Sequence, residues 1–151
     1  MSARDRLAEL GLTLPAVVPP LASYVPAVRT GSLVFTSGQL PMVDGALVAS
    51  GKVGAEVSPE QAKELAATCA LNALAAIDAL VGLESVVRVV KVVGFVASTP
   101  DFTGQPGVVN GASELLGAVL GDVGVHARSA VGVAALPLDA PVEVEVVVEV
   151  S

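Results

Sequence analysis

Apolar positions in this chain fall into runs of two periods, and the order of those runs outlines a fold. From Ser58 the segment SPEQAKELAATCALNALAAIDALVG repeats at helical spacing, with Leu65, Cys69, Asn72, Ala76 and Ala79 near one stripe. Ser58 fits the N-cap, Pro59 fits N1, Gln61 completes a capping box, and Gly82 ends the helix. A second, shorter helix is predicted over VVNGASELLGAVLG, ending at Gly121. Between them, SVVRVVKVVGFVAS is rich in β-branched residues and reads as a strand. Upstream, AVRTGSLVFTSGQLP reads as two short strands around Thr30 and Gly31, and PMVDGALV as a hairpin turning on Asp44-Gly45. ARSAVGV and PVEVEVVVEV close the chain as two further strands, read as a pair. Residues 2–10 suggest a short helix stopped by Gly11, and LTLPAVVPPLASYVPA, with four prolines, an extended arm. The order βββ-α-β-α-ββ indicates an α+β fold, a mixed sheet with two helices on one face. Residues 1–21 are then an N-terminal helix and proline-rich arm, and residues 22–151 a single domain.

Composition adds an expectation about assembly. At 151 residues the chain is long enough to bury a core without disulfides. Only 15% of its residues are charged, against roughly 25% in ordinary soluble domains. Part of its surface, including an apolar outer sheet face, is therefore expected to be covered by other copies of the chain. No apolar run approaches the roughly 18 residues that span a bilayer. The longest, VVRVVKVVGFVA, is interrupted by Arg88 and Lys91. The first eleven residues mix both charge signs without the apolar centre of a signal peptide, and Cys69 has no intrachain disulfide partner. A cytoplasmic location and no membrane contact are expected. The net charge of −7, the 3% aromatic content and the absence of Trp argue against nucleic acid as a partner.

The candidate chemistry sits in the two closing strands. In PVEVEVVVEV the residues Val142, Val144, Val146, Val148 and Val150 share one face, and Glu143, Glu145, Val147 and Glu149 the other. For Glu145 and Glu149 a solvated acidic face accounts for the pattern. In ARSAVGVAA, Arg128 shares a face with Ala130, Gly132 and Ala134, all small. A cation at the end of a row of small residues leaves space beside it, as a binding cleft does. Two readings stay open for Arg128: a structural Arg–Glu pair, or a planar fork that grips a ligand carboxylate. His126, the only histidine, is assigned to loop structure, and Cys69 to a buried, inert thiol. One His and one Cys make no metal site. Ser37-Gly38-Gln39 lacks the pattern of a nucleophile elbow, and the glycines form no phosphate loop.

Several pieces of this chain, in order and spacing from about residue 22 to 150, resemble the YjgF/RidA family, also called endoribonuclease L-PSP-like. They are Tyr24 in ASYVPAV, then GSLVFTSGQLP, Asn110 in VVNGAS, ARSAVGV, the Leu-Pro that follows, and VEVEV. The resemblance implies a chorismate-mutase-like α+β fold, a homotrimer with clefts between subunits, and hydrolysis of reactive enamines and 2-imino acids to 2-oxo acids and ammonia. It implies that Arg128 grips the substrate carboxylate and that Glu143 positions the attacking water. Tyr24, Ser37, Gly38, Asn110 and Ala130 would line the cleft, with no metal or organic cofactor required. Ala130 stands where many members have Cys, His126 where many have Pro, and the loop Ser98–Gly107 is longer. Two other functions compete: a non-catalytic ligand-binding or holdase-like trimer, and an endoribonuclease. Retention of both Arg128 and Glu143 favours the deaminase over the first, since binding alone needs no water-directing carboxylate. The −7 charge argues against the second.

Overall fold

The computed structural model describes residues 1–151. Two helices, α2 (Pro59–Val81) and α3 (Gln105–Leu120), lie on one face of a five-stranded sheet. The strands are β1 (Ala27–Thr30), β2 (Leu33–Thr36), β5 (Val86–Ala97), β6 (Ala127–Val133) and β7 (Val142–Val150), in the order β1-β2-β7-β5-β6. The short hairpin β3 (Met42–Val43) and β4 (Ala46–Leu47) turns on Asp44 and Gly45, both at positive φ as a two-residue turn requires. All contacts in the sheet are antiparallel except β5–β6, whose parallel pairing needs the crossover that α3 provides. The result is a mixed α+β domain with both helices on one side, as expected.

The closing strands do not pair with each other. β5 lies between them, antiparallel to β7 and parallel to β6. Alternation along a strand shows which residues share a face but not which strand lies alongside, so this adjacency was hidden. Helix α3 also starts three residues before the predicted Val108, at Gln105, with Pro106 in its first turn, where the missing N–H costs nothing. At the head of α2 the Ser58 hydroxyl accepts from the Gln61 N–H at 3.1 Å. The reciprocal bond from Gln61 is absent there, whereas the N-terminal helix α1 (Ala3–Glu9) closes a full capping box between Ser2 and Asp5.

The core lies between the helices and the inner sheet face. Val142, Val144, Val146 and Val148 of β7, Val89, Val92 and Val96 of β5, and Leu65, Cys69, Leu74 and Ile77 of α2 meet there. Ala79, expected in the stripe, is exposed in the last turn, while Ala70, Ala73 and Leu74 are buried. The helix is wedged between α3 and β7, so its buried arc is wider than one stripe. At 23 residues α2 is long and apolar enough to cross a bilayer, but more than half of that span is buried inside the domain and it serves as the core helix. Small residues permit the close crossing: a Cβ on Gly111 would stand 1.9 Å from the Lys63 carbonyl oxygen. Helix α1 docks through Ala3 and Leu7, and its Arg4 pairs with Asp78 of α2 at 2.6 Å.

The outer face of the sheet carries no helix. Register places Phe35, Val147 and Lys91 in one row across it, Glu145 with Val93 in the next, and Glu143 with Phe95 beyond. Phe35, Val28 and Val131 are among the exposed large apolar residues. The face is therefore a mosaic of apolar side chains and the acidic row of β7, less uniformly apolar than expected.

Candidate functional site

Arg128 and Glu143 belong to opposite faces of the sheet. Arg128 is paired with Val92, which is fully buried and points to the helices. Glu143 is paired with Phe95 and points to the open face. Two strand spacings, about 10 Å, and the thickness of the sheet separate them. The sequence-predicted residues accordingly gather in two groups, and one chain brings only part of the set together in each.

The first group lies where edge strand β6 meets α3. The Arg128 side chain lies over the first turns of α3, where its Nη1 donates to Asn110 Oδ1 at 2.7 Å and to Ser113 Oγ at 3.2 Å. Its Nη2 donates to the Pro106 carbonyl at 3.3 Å. Asn110 and Ser113 are three residues apart on the helix, a spacing that puts both on one side. Ala130, two residues along β6, shares the inward row and is paired with Gly94. Arg128 takes part in none of the ion pairs of the chain, which join Arg4 to Asp78, Lys52 to Asp139 and Lys63 to Glu114. The structural Arg–Glu pair is thus ruled out within the chain. Three of the five guanidinium N–H donors are satisfied by neutral acceptors, which leaves Nε–H and one Nη2–H.

The second group lies at the loop after β2. Gly38 sits beneath the Glu143 carboxylate: a Cβ there would be 1.9 Å from Glu143 Oε1. The loop is held by reciprocal backbone bonds between Gln39 and Val144 and by the Ser37 hydroxyl, which donates to the Val25 carbonyl at 2.6 Å. Tyr24 is 45% exposed, accepts from the Leu21 N–H through its hydroxyl, and lines a small cavity together with Gly38 and Met42. Glu143 is half-buried, and burial is the main cause that lifts its carboxyl above the ordinary glutamate range. The nearby charge of Glu145, two residues on along the same face, adds to the lift. A carboxylate so placed holds a proton more tightly and is a stronger base. None of the main surface cavities is lined by Arg128 or Glu143.

Two residues beside Arg128 were not read as part of a site. Ser113 carries no signal of its own in the sequence, and His126 reads as loop structure. They are joined: Ser113 Oγ is 2.9 Å from His126 Nε2, and His126 Nδ1 is 2.6 Å from the Gly124 carbonyl oxygen. The available signal was the Asn110–Ser113 spacing combined with the His126–Arg128 spacing. Cys69 is buried, as expected, and burial together with the charge of Glu143 raises its thiol pKa well above the usual value. No group of three His, Cys, Asp or Glu side chains is placed to hold a metal ion.

The fold and these two groups define a two-layer α+β domain whose open sheet face and strand edge carry its ionisable chemistry. The chain belongs to the Endoribonuclease L-PSP family, whose model matches residues 15–150 and so includes both groups. It is 44% identical over 147 residues to Protein TCP17 of Trypanosoma cruzi, covering 96% of this chain and 92% of that one. Among solved structures it is similar to Atu1372 of Agrobacterium tumefaciens, with 46% identity and a TM-score of 0.92 over 99% of this chain and 92% of that one. It is also similar to E. coli TdcF with bound serine, with 28% identity and a TM-score of 0.64 over 92% and 96% of the two chains.

Proposed function

We propose that this protein hydrolyses reactive enamines and 2-imino acids to 2-oxo acids and ammonia, as a homotrimer of chorismate-mutase-like fold. In that assembly Arg128 of one copy faces Glu143 of its neighbour across a cleft. The observation that carries the reading is the state of Arg128: its guanidinium is anchored by neutral acceptors only, with two donors free and no carboxylate beside it. A positive fork held in this way has a ligand carboxylate as its natural partner. The serine held by TdcF is a small molecule with such a carboxylate.

The chemistry then follows from the two groups. Arg128 fixes the substrate carboxylate, which increases the electron demand at the adjacent imine carbon. Glu143 accepts a proton from water as the oxygen adds to that carbon. That proton is passed to nitrogen, giving a carbinolamine. Glu143 then carries the carbinolamine hydroxyl proton to nitrogen as the carbon–oxygen double bond forms and the carbon–nitrogen bond breaks, releasing ammonia and the 2-oxo acid. The raised proton affinity of Glu143 strengthens it as base. Asn110 and Ala130 line the arginine side of the cleft, and Tyr24, Ser37 and Gly38 the glutamate side. The imine also hydrolyses unaided, so only a few kcal/mol of barrier reduction is required.

The endoribonuclease reading is less well supported, because the open face presents Glu143, Glu145 and Glu149 and the chain carries a net charge of −7. Imino acids generated in solution by an amino acid oxidase test the proposal, their decay being followed with and without the protein. Accelerated decay is expected, and Arg128→Lys should lose about 30-fold or more, since the charge stays while the fork is lost. Decay at the spontaneous rate in saturating protein would contradict the reaction. Binding of 2-oxo acids without turnover would point instead to a non-catalytic binding trimer.

A further inference from the structure

His126 and Ser113 form, with Arg128, a chain of hydrogen bonds whose direction is set by its far end. The Gly124 carbonyl can only accept, so the 2.6 Å contact assigns a proton to His126 Nδ1. In the neutral ring Nε2 is then an acceptor, and it takes the Ser113 hydroxyl proton at 2.9 Å. With its proton committed, Ser113 Oγ presents lone pairs to Arg128 Nη1 at 3.2 Å. A free serine hydroxyl in a helix would turn to the carbonyl one turn back or to water, and would hold nothing in place.

We infer that His126 and Ser113 are positioning residues for Arg128: they lock its Nη1 end against α3 so that Nε–H and the remaining Nη2–H face the ligand. The inference rests on the carboxylate-gripping role proposed above and assigns a role to a histidine and a serine outside that set. An arginine side chain has several rotatable bonds, and its rotamer entropy opposes any single pose. Asn110 alone supplies one anchor on the Nη1 end. The serine supplies the second, and the histidine keeps the serine correctly polarised.

The test compares wild type with Ser113→Ala, His126→Phe and the double variant, with Ser113→Thr as the hydroxyl-preserving control. Order at the Arg128 Nε–H is read by ¹⁵N relaxation, and affinity by titration with 2-oxobutanoate. A rigid Nε–H in wild type and in Ser113→Thr, and a mobile one in Ser113→Ala and His126→Phe, are expected. Affinity should fall roughly three- to tenfold in each single variant, the worth of one hydrogen bond, and no further in the double variant, because both act through one chain. The KM for an imino acid should rise by the same factor with kcat within about twofold. An Nε–H equally ordered in all variants, with unchanged affinity, would overturn the inference. Losses that add in the double variant and follow thermal stability would overturn it too, by making the two residues structural. If wild type fails to turn over imines while Arg128 order still depends on Ser113 and His126, the positioning role stands and the proposed reaction falls.

Discussion

Glu143 and Gly38 form a matched pair: the carboxylate of one occupies the space that any side chain on the other would need. A Cβ at Gly38 would be 1.9 Å from Oε1 and 2.7 Å from the carboxyl carbon. The requirement for glycine here comes from the close approach alone, since Gly38 is not among the residues with positive φ.

Gly38→Ala is therefore expected to keep the fold and displace the Glu143 carboxylate. A shift of about 1 Å at a catalytic group can lower the rate on the order of 100-fold. Imine turnover should fall by about 10- to 100-fold while circular dichroism and 2-oxobutanoate binding stay near wild type. Wild-type turnover in this variant would mean that the position of Glu143 is not critical.

Glu143 also ties stability to pH. Its folded-state carboxyl titrates above the ordinary value because of burial and the charge of Glu145. The folded state thus binds more protons than the unfolded chain between the ordinary and the raised pKa, and stability falls as pH rises through that window. Glu143→Gln does not titrate and escapes this loss. In thermal melts it should be more stable than wild type near neutrality, with the advantage gone below about pH 4. An advantage that is independent of pH would contradict the stated cause.

Asn72 is 2% exposed, and its Nδ2 donates to the carbonyls of Leu40 and Met42 at 3.1 and 3.0 Å. It pins the segment after Gly38 to α2. Asn72→Leu removes this donor from both carbonyls, although that of Leu40 keeps the Met42 N–H at 2.8 Å, and should cost about 1–3 kcal/mol. At roughly 2–4 °C per kcal/mol for a domain of this size, calorimetry should show a clear drop in Tm. An unchanged Tm would show that other donors replace the amide.

Much of the fold was legible because its signals are local. Ser58-Pro59 starts a helix, Asp44-Gly45 turns a hairpin, and alternation in the last strand turns Glu143 away from its valines. What could not be read depends on strand adjacency. The residues of β6 and β7 alternate correctly in isolation, but only the placement of β5 between them puts Arg128 and Glu143 on opposite faces. The helical stripe missed Ala70, Ala73 and Leu74 because α2 is enclosed on two sides, by α3 and by β7. Ser113 escaped notice because its partners are 13 and 15 residues away, His126 in the loop before β6 and Arg128 on that strand.

The separation of Arg128 from Glu143 makes a functional site that uses both depend on a second copy of the chain. Subunit mixing tests this most directly. Arg128→Lys and Glu143→Gln, each inactive alone, are unfolded together and refolded at equal concentration, with light scattering checking for trimers. Where a site takes Arg128 from one subunit and Glu143 from its neighbour, random mixing restores both groups in about a quarter of sites. Recovery of about a quarter of wild-type imine hydrolysis is the expected result. No recovery, from mixed trimers shown to have formed, would contradict a site shared between subunits.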